Sequence, residues 1–188
     1  MKLYPFVLLL FFSQFSYGQV KTKNVLIAYY SKTAHTKTLA EEVAKGAMAI
    51  PGVQVVLKSI AQTTTKDLLD ADAIIIGSPV YNANLVPEVV QFMSAWPFEG
   101  NPLKDKIGAA FVTAGGISAG EELAQVNLLH SMLIFGMIVV GGDEWTSAFG
   151  ASAITNEGIF KTEKIDNLFL QKGFTLGKRV ATIAKKMR

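Results

Sequence analysis

The chain has 188 residues, half of them apolar and 18% charged, which excludes disordered and collagen-like sequences and suits one domain with a short appendage. The absence of cysteine removes disulfides, thiolate metal sites and a cysteine nucleophile, and two histidines leave little for a histidine-rich metal centre. A diffuse net charge of +3 gives no argument for nucleic acid.

Met1 and Lys2 precede an uncharged run from Leu3 to Phe12, interrupted only by Pro5. Its ten residues are half of the roughly 20 that span a bilayer. Small residues follow at Ser16 and Gly18, the positions a signal peptidase reads. Residues 1–18 are therefore expected to be an export signal cut before Gln19; an N-terminal anchor or a buried strand is the competing reading. Loss of Lys2, its only charge, lowers the net from +3 to +2. The mature domain, residues 19–188, is then expected in a periplasm or outside the cell, without a stable membrane anchor.

Apolar, β-branched-rich runs at Val25–Tyr30, Val53–Leu57, Ala73–Ile76, Ile107–Thr113 and Met137–Val140 predict five strands, each buried on both faces. Helical spacing separates them: Leu39, Val43, Ala44 and Ala47 within 37–49, and Val89, Val90, Phe92 and Met93 within 87–95, where Pro87 marks a start. Residues 120–135 and 163–186 complete the helices. Strand alternating with helix predicts an α/β fold, an open doubly wound parallel sheet with helices on both faces. In such a sheet ligands bind beyond the carboxyl ends of the strands, so the loops after the first, third and fourth strands are the candidates.

The first of these loops is Ser31-Lys32-Thr33-Ala34-His35-Thr36. Its hydroxyls and the free N–H groups of the next helix can converge on one anion, and a phosphate monoester suits them. An ordinary helix cap would use the same residue types. Neither a P-loop nor a Gly-x-Gly-x-x-Gly pattern is present here. The second loop, Gly77-Ser78-Pro79-Val80-Tyr81-Asn82-Ala83-Asn84, is read as leaving the sheet sharply and exposing Tyr81 and two asparagines. A ring and carboxamides can stack on and bond a heteroaromatic ligand, or serve the turn itself. The third, Thr113-Ala114-Gly115-Gly116-Ile117-Ser118-Ala119-Gly120, allows close backbone approach to a flat ligand.

The order Tyr-Ser-x-Thr-x-x-Thr, Gly-Ser-Pro-Val-Tyr and Thr-Ala-Gly-Gly resembles the flavodoxin-like FMN proteins, most nearly the WrbA-type NAD(P)H:quinone oxidoreductases and the NADPH-dependent FMN reductases. The likeness runs over residues 24–186 and takes in Phe149–Ile154. It implies a flavodoxin-like five-stranded sheet in the order 2-1-3-4-5 and bound FMN. Ser31 to Thr36 would hold the ribityl phosphate; Pro79, Val80, Tyr81 and Asn82 would lie against the isoalloxazine ring; Thr113 to Ser118 would close on its polar edge. Homodimers or homotetramers, and NAD(P)H as reductant, come with the same likeness.

Three departures stand out. The family usually has glycine or asparagine where Ala34 stands, and alanine fits if that position keeps a negative φ. Thr33 replaces an aromatic residue, and Phe135 falls where the WrbA-type proteins have a histidine near the flavin.

Among the remaining residues, Trp96, Phe98 and Trp145 are candidates for a substrate wall or a subunit interface. His130 reads as a core or interface histidine. Asp143 and Glu144 lack a third ligand, so no metal site is expected. No catalytic side chain is expected either, because the flavin would carry the chemistry. Three functions follow: an FMN-dependent NAD(P)H oxidoreductase reducing a quinone-like acceptor, an exported flavodoxin-type electron carrier, and a binding protein without turnover. Carriers are as a class acidic, and this chain is mildly basic.

Overall fold

The computed structural model describes residues 22–187. The expected export signal, residues 1–18, lies outside the described residues.

The elements in chain order are β1 (Lys23–Tyr29), α1 (His35–Met48), β2 (Val53–Ser59), α2 (Thr65–Asp70), β3 (Ala73–Tyr81), β4 (Asn84–Leu85), α3 (Pro87–Ser94), β5 (Ile107–Ala114), α4 (Glu121–Ile134), β6 (Ile138–Val139), β7 (Ala151–Ile154) and α5 (Asn167–Lys186). The main path of the sheet runs β2-β1-β3-β5-β6, parallel throughout, with β7 also on β5 and β4 antiparallel on β3. This is the expected doubly wound order, with the fifth position filled twice. β6 pairs the start of β5 at Ile107 and Gly108; β7 pairs its end from Phe111 to Ala114. Only the first of these two short strands is visible as a continuous apolar run.

The central strands are apolar at nearly every position because both faces are covered. On one face, α1 buries Leu39, Ala40, Val43, Ala44 and Ala47, a helical stripe, and packs along α5. Glycines permit that approach: a Cβ on Gly177 would lie 1.9 Å from the Val43 carbonyl oxygen, and one on Gly46 would lie 1.9 Å from that of Phe174. On the other face α4 packs against β5 and β6, beside α3. α2 was not legible as a helix, although Thr64 and Asp67 form a reciprocal capping box at its start.

β3 corrects one expectation. Residues 77–81 do not leave the sheet; they extend the strand, pairing Gly77 with Phe111, Ser78 with Val112 and Pro79 with Thr113. β1 stops pairing at Gly77, so Pro79 sits beside an open edge, where its missing N–H costs no ladder bond. Gly77 is there for packing, since a Cβ would lie 2.0 Å from Cζ of Phe111. The chain turns only at Asn82 and Ala83, with φ of 52° and 60°, a two-residue hairpin into β4.

Candidate functional site

At the carboxyl ends of β1, β3, β5 and β7 lies an open cleft of about 750 Å³. Thr33 and His35 line one part; Pro79, Val80 and Tyr81 come from the end of β3, and Thr113, Ala114 and Gly115 from the end of β5. The three predicted loops thus meet, because parallel strands present all their carboxyl ends to one edge.

The β1–α1 loop is shaped for an anion. Ala34, the N-cap of α1, has φ 69°, which corrects the expectation of a negative φ, and its methyl side chain supplies no cap bond. The first turn of α1 contains no acidic residue, so its leading N–H groups face outward without an internal acceptor. The helix dipole adds partial positive charge at the same point. Ser31 Oγ is sealed from solvent and has no hydrogen-bond partner among the described residues. Thr33 Oγ1 and His35 Nδ1 lie 3.4 Å apart, and Lys32 is exposed. Thr36 points inward, 2% exposed, and its hydroxyl meets that of Thr113 at 2.8 Å.

The β5 loop offers a flat wall. Gly115 is exposed, and a Cβ there would meet nothing within 4 Å, so open space adjoins its backbone. Tyr81, 44% exposed, stands on the opposite rim. Asn82 and Asn84 serve the hairpin instead of the cleft: Asn84 Nδ2 donates to the Asn82 carbonyl at 2.9 Å. Gly120 seats that hairpin, for a Cβ on it would lie 2.5 Å from the Ala83 Cα. Near the cleft, the Tyr30 hydroxyl donates to Glu88 Oε1 at 3.0 Å, and that hydrogen bond raises the Tyr30 pKa above its ordinary value.

Part of the cleft was not anticipated. Thr155, Asn156, Lys161, Thr162 and Glu163, from the β7–α5 connection, line it too. Two backbone bonds tie this segment to the β5 loop: Thr155 N–H to the Ala114 carbonyl at 3.0 Å and Asn156 N–H to that of Gly115 at 2.9 Å. Glu157 accepts from Ile117 N–H as well. The available signal was the strand-like Ala151–Ile154, whose exit places residues 155–163 at the ligand edge.

The other candidates fall elsewhere. Gly116, Ile117 and Ser118 are beyond the cleft; Ile117 lines a second cleft together with Trp145. Trp96 is buried, its ring 5.9 Å from Phe92 and 5.4 Å from Phe135, and Phe98 meets Phe135 at 5.8 Å. Phe135 caps the far end of α4, a helix about 20 Å long, so within one chain it is remote from the cleft. His130 is exposed on α4, not in the core. Among the described residues, no cluster of three His, Cys, Asp or Glu gathers at one point.

Residues 53–152 match the family model of the NADPH-dependent FMN reductases. A flavodoxin of Aquifex aeolicus is 34% identical over 134 residues, covering 68% of this chain and 72% of its own. A flavodoxin of Clostridium saccharobutylicum is 29% identical over 165 residues, covering 87% and 98%. In fold, the flavodoxin, WrbA-like protein of Agrobacterium tumefaciens superposes with a TM-score of 0.75 at 22% identity, over 89% of this chain and all of that one. With the sheet order and the position of the cleft, these matches establish that the chain belongs to the flavodoxin-like family of FMN-binding oxidoreductases and flavodoxins.

Proposed function

We propose that the protein binds FMN in this cleft and acts as an oxidoreductase that takes hydride from NAD(P)H and passes electrons to a quinone or similar small acceptor. The observation that carries the reading is the pairing of two features in one cleft. One is an uncapped helix start with Thr33 and His35 on the cleft; the other is a glycine wall with open space in front of it. A phosphate at one end and a ring at the other fit both.

Bound there, FMN supplies hydride and electron transfer between donor and acceptor. The chain's own residues bind and orient. Thr33, His35 and the leading N–H groups of α1 hold the phosphate. Pro79, Val80 and Tyr81 wall one side of the ring, and the Thr113–Gly115 backbone lies along another. The 155–163 segment adds a further wall, on which Lys161 and Glu163 carry opposite charges. No side chain need move a proton.

The test is reconstitution. The purified protein takes up one equivalent of FMN and turns yellow, and anaerobic NADPH bleaches it within seconds. Gly115→Leu, whose side chain enters open space, folds as the parent does and loses FMN binding. A protein that refuses FMN ends this reading. The names of both curated relatives favour a second one, an electron carrier. It predicts FMN uptake without bleaching by NADPH. Export through residues 1–18 and assembly as a homodimer or homotetramer belong to the same proposal. The mature N-terminus by mass spectrometry and the mass by light scattering check them.

A further inference from the structure

Beside the flavin cleft, and sharing no lining residue with it, is a second cleft of about 380 Å³. It opens between the starts of α4 and α5, β7, and the 145–150 segment that separates β6 from β7. Four aromatic side chains line it. Phe160 and Phe169 meet edge to face at 4.8 Å, while Phe149 is half-exposed and Trp145 is 88% exposed. A tryptophan held out at a cleft mouth against three phenylalanines offers a stacking surface for a flat ring.

Gln125 supplies the second, independent observation. It lines the same cleft and is 2% exposed, yet its carboxamide has no hydrogen-bond partner among the described residues, and Nε2 is sealed from solvent. Buried polar groups are as a rule satisfied, so an idle carboxamide beside a cavity calls for a ligand partner. Nε2 faces inward, so the amide must turn over to present its NH2 group to the cleft; with neither end bonded, no hydrogen bond opposes that turn. The backbone leaves room for it. Gly150, at φ 126°, faces the carboxamide, and a Cβ there would lie 3.3 Å from Nε2 and 2.0 Å from the Ala110 carbonyl oxygen.

The charges at the rim are close to balanced. Lys172 is already engaged, donating to the Thr146 carbonyl at 2.9 Å and lying 5.9 Å from the centre of the Phe169 ring. Opposite stand two carboxylates, Glu121, which accepts from Ser118 and Ala119 N–H at 2.8 and 2.9 Å, and exposed Glu122. Two carboxylates stand against one lysine and the partial positive charge of the two helix starts, so the rim exerts no net pull on carboxylates or phosphates. What fits is an uncharged, planar, aromatic molecule with a ring carbonyl.

We infer that this cleft is a second binding site for aromatic carbonyl compounds of the quinone class, with the ring carbonyl accepting from Gln125 Nε2 and the ring packed against Trp145 and Phe149. An acceptor role for such a ligand rests on the function proposed above; the binding itself does not.

The test titrates the full chain with 1,4-naphthoquinone by calorimetry, first without FMN and then with FMN in excess. The probe suits a chain that has no thiol to add to it. A saturable site is expected without FMN, and the same site persists with FMN in excess. Gln125→Leu weakens it at least tenfold and Trp145→Ala severalfold, and both variants keep the parent's FMN affinity and thermal midpoint. Trp145, being exposed, serves as the control that cannot fail through misfolding. The inference is overturned if FMN displaces the quinone, if Gln125→Leu binds as the parent does, or if no saturable binding is found. It is overturned equally if Trp145→Ala halves the mass in solution, which would make the cleft a contact between copies. Failure to bind FMN with quinone binding intact would sink the flavin reading alone.

Discussion

Thr36 Oγ1 and Thr113 Oγ1 lie 2.8 Å apart in the interior, linking the first turn of α1 to the last residues of β5. One hydroxyl follows the β1–α1 loop and the other lies on the cleft at the end of β5, so this hydrogen bond ties together the two elements that carry the sides of the cleft. Removing one partner leaves the other buried and unsatisfied, at a cost of about 1–3 kcal/mol. Thr113→Val and Thr36→Val should each lower stability by that order in urea unfolding. The double variant should lose clearly less than the sum. Additive losses would mean that the pair does not couple.

Ala34 holds a left-handed conformation at φ 69° without the freedom of glycine. That conformation costs an alanine about 1–2 kcal/mol, and the extra chain entropy of glycine offsets about 0.5–1 kcal/mol of the relief. Ala34→Gly should therefore raise the melting temperature by roughly 1–3 °C and leave FMN affinity equal or tighter. Ala34→Val should lower both. Calorimetric melting with and without FMN checks the sign.

Gly77 seats the Phe111 ring across the β3–β5 ladder. Gly77→Ala places a methyl 2.0 Å from Cζ of Phe111 in a close-packed core, an overpacking expected to cost about 1–3 kcal/mol. Adding Phe111→Leu should recover part of the loss, and denaturant midpoints of the four proteins measure it.

Asp67 accepts from Lys58 Nζ at 2.7 Å and from Thr64 N–H at 2.8 Å, and these contacts, with Lys58 foremost, hold its carboxyl at about 2. The shift is downward, so the stability it contributes is present above the ordinary carboxylate range and is lost as the pH falls from about 4 toward 2. Asp67→Asn should be less stable than the parent by about 1 kcal/mol at neutral pH. The gap should close in that acid window. A gap independent of pH would show that the ion pair does not supply it.

Much of the fold was legible because it follows from local rules. Runs such as Val25–Tyr29 and Ile107–Ala114 are apolar at nearly every position, as strands covered on both faces are. The α1 stripe and Pro87 at the start of α3 mark helices in the same way. Short elements were less visible: α2 has six residues, and β6 and β7 have two and four. Segments so brief carry too few side chains to establish a period.

Residue type and local pattern were enough for an alternating α/β chain and three segments, rich in hydroxyl, glycine and aromatic residues, at the carboxyl ends of strands one, three and four. Their chemistry is written in residue type, so it could be read without coordinates. Which of those residues meet follows from the way the strands pair. The doubled fifth strand brings residues 155–163 into the cleft and sends Trp145 to a separate one, and the extension of β3 turns Gly77 from a point of exit into the seat of Phe111. These outcomes depend on pairing between strands distant in sequence, a long-range term that no local pattern encodes.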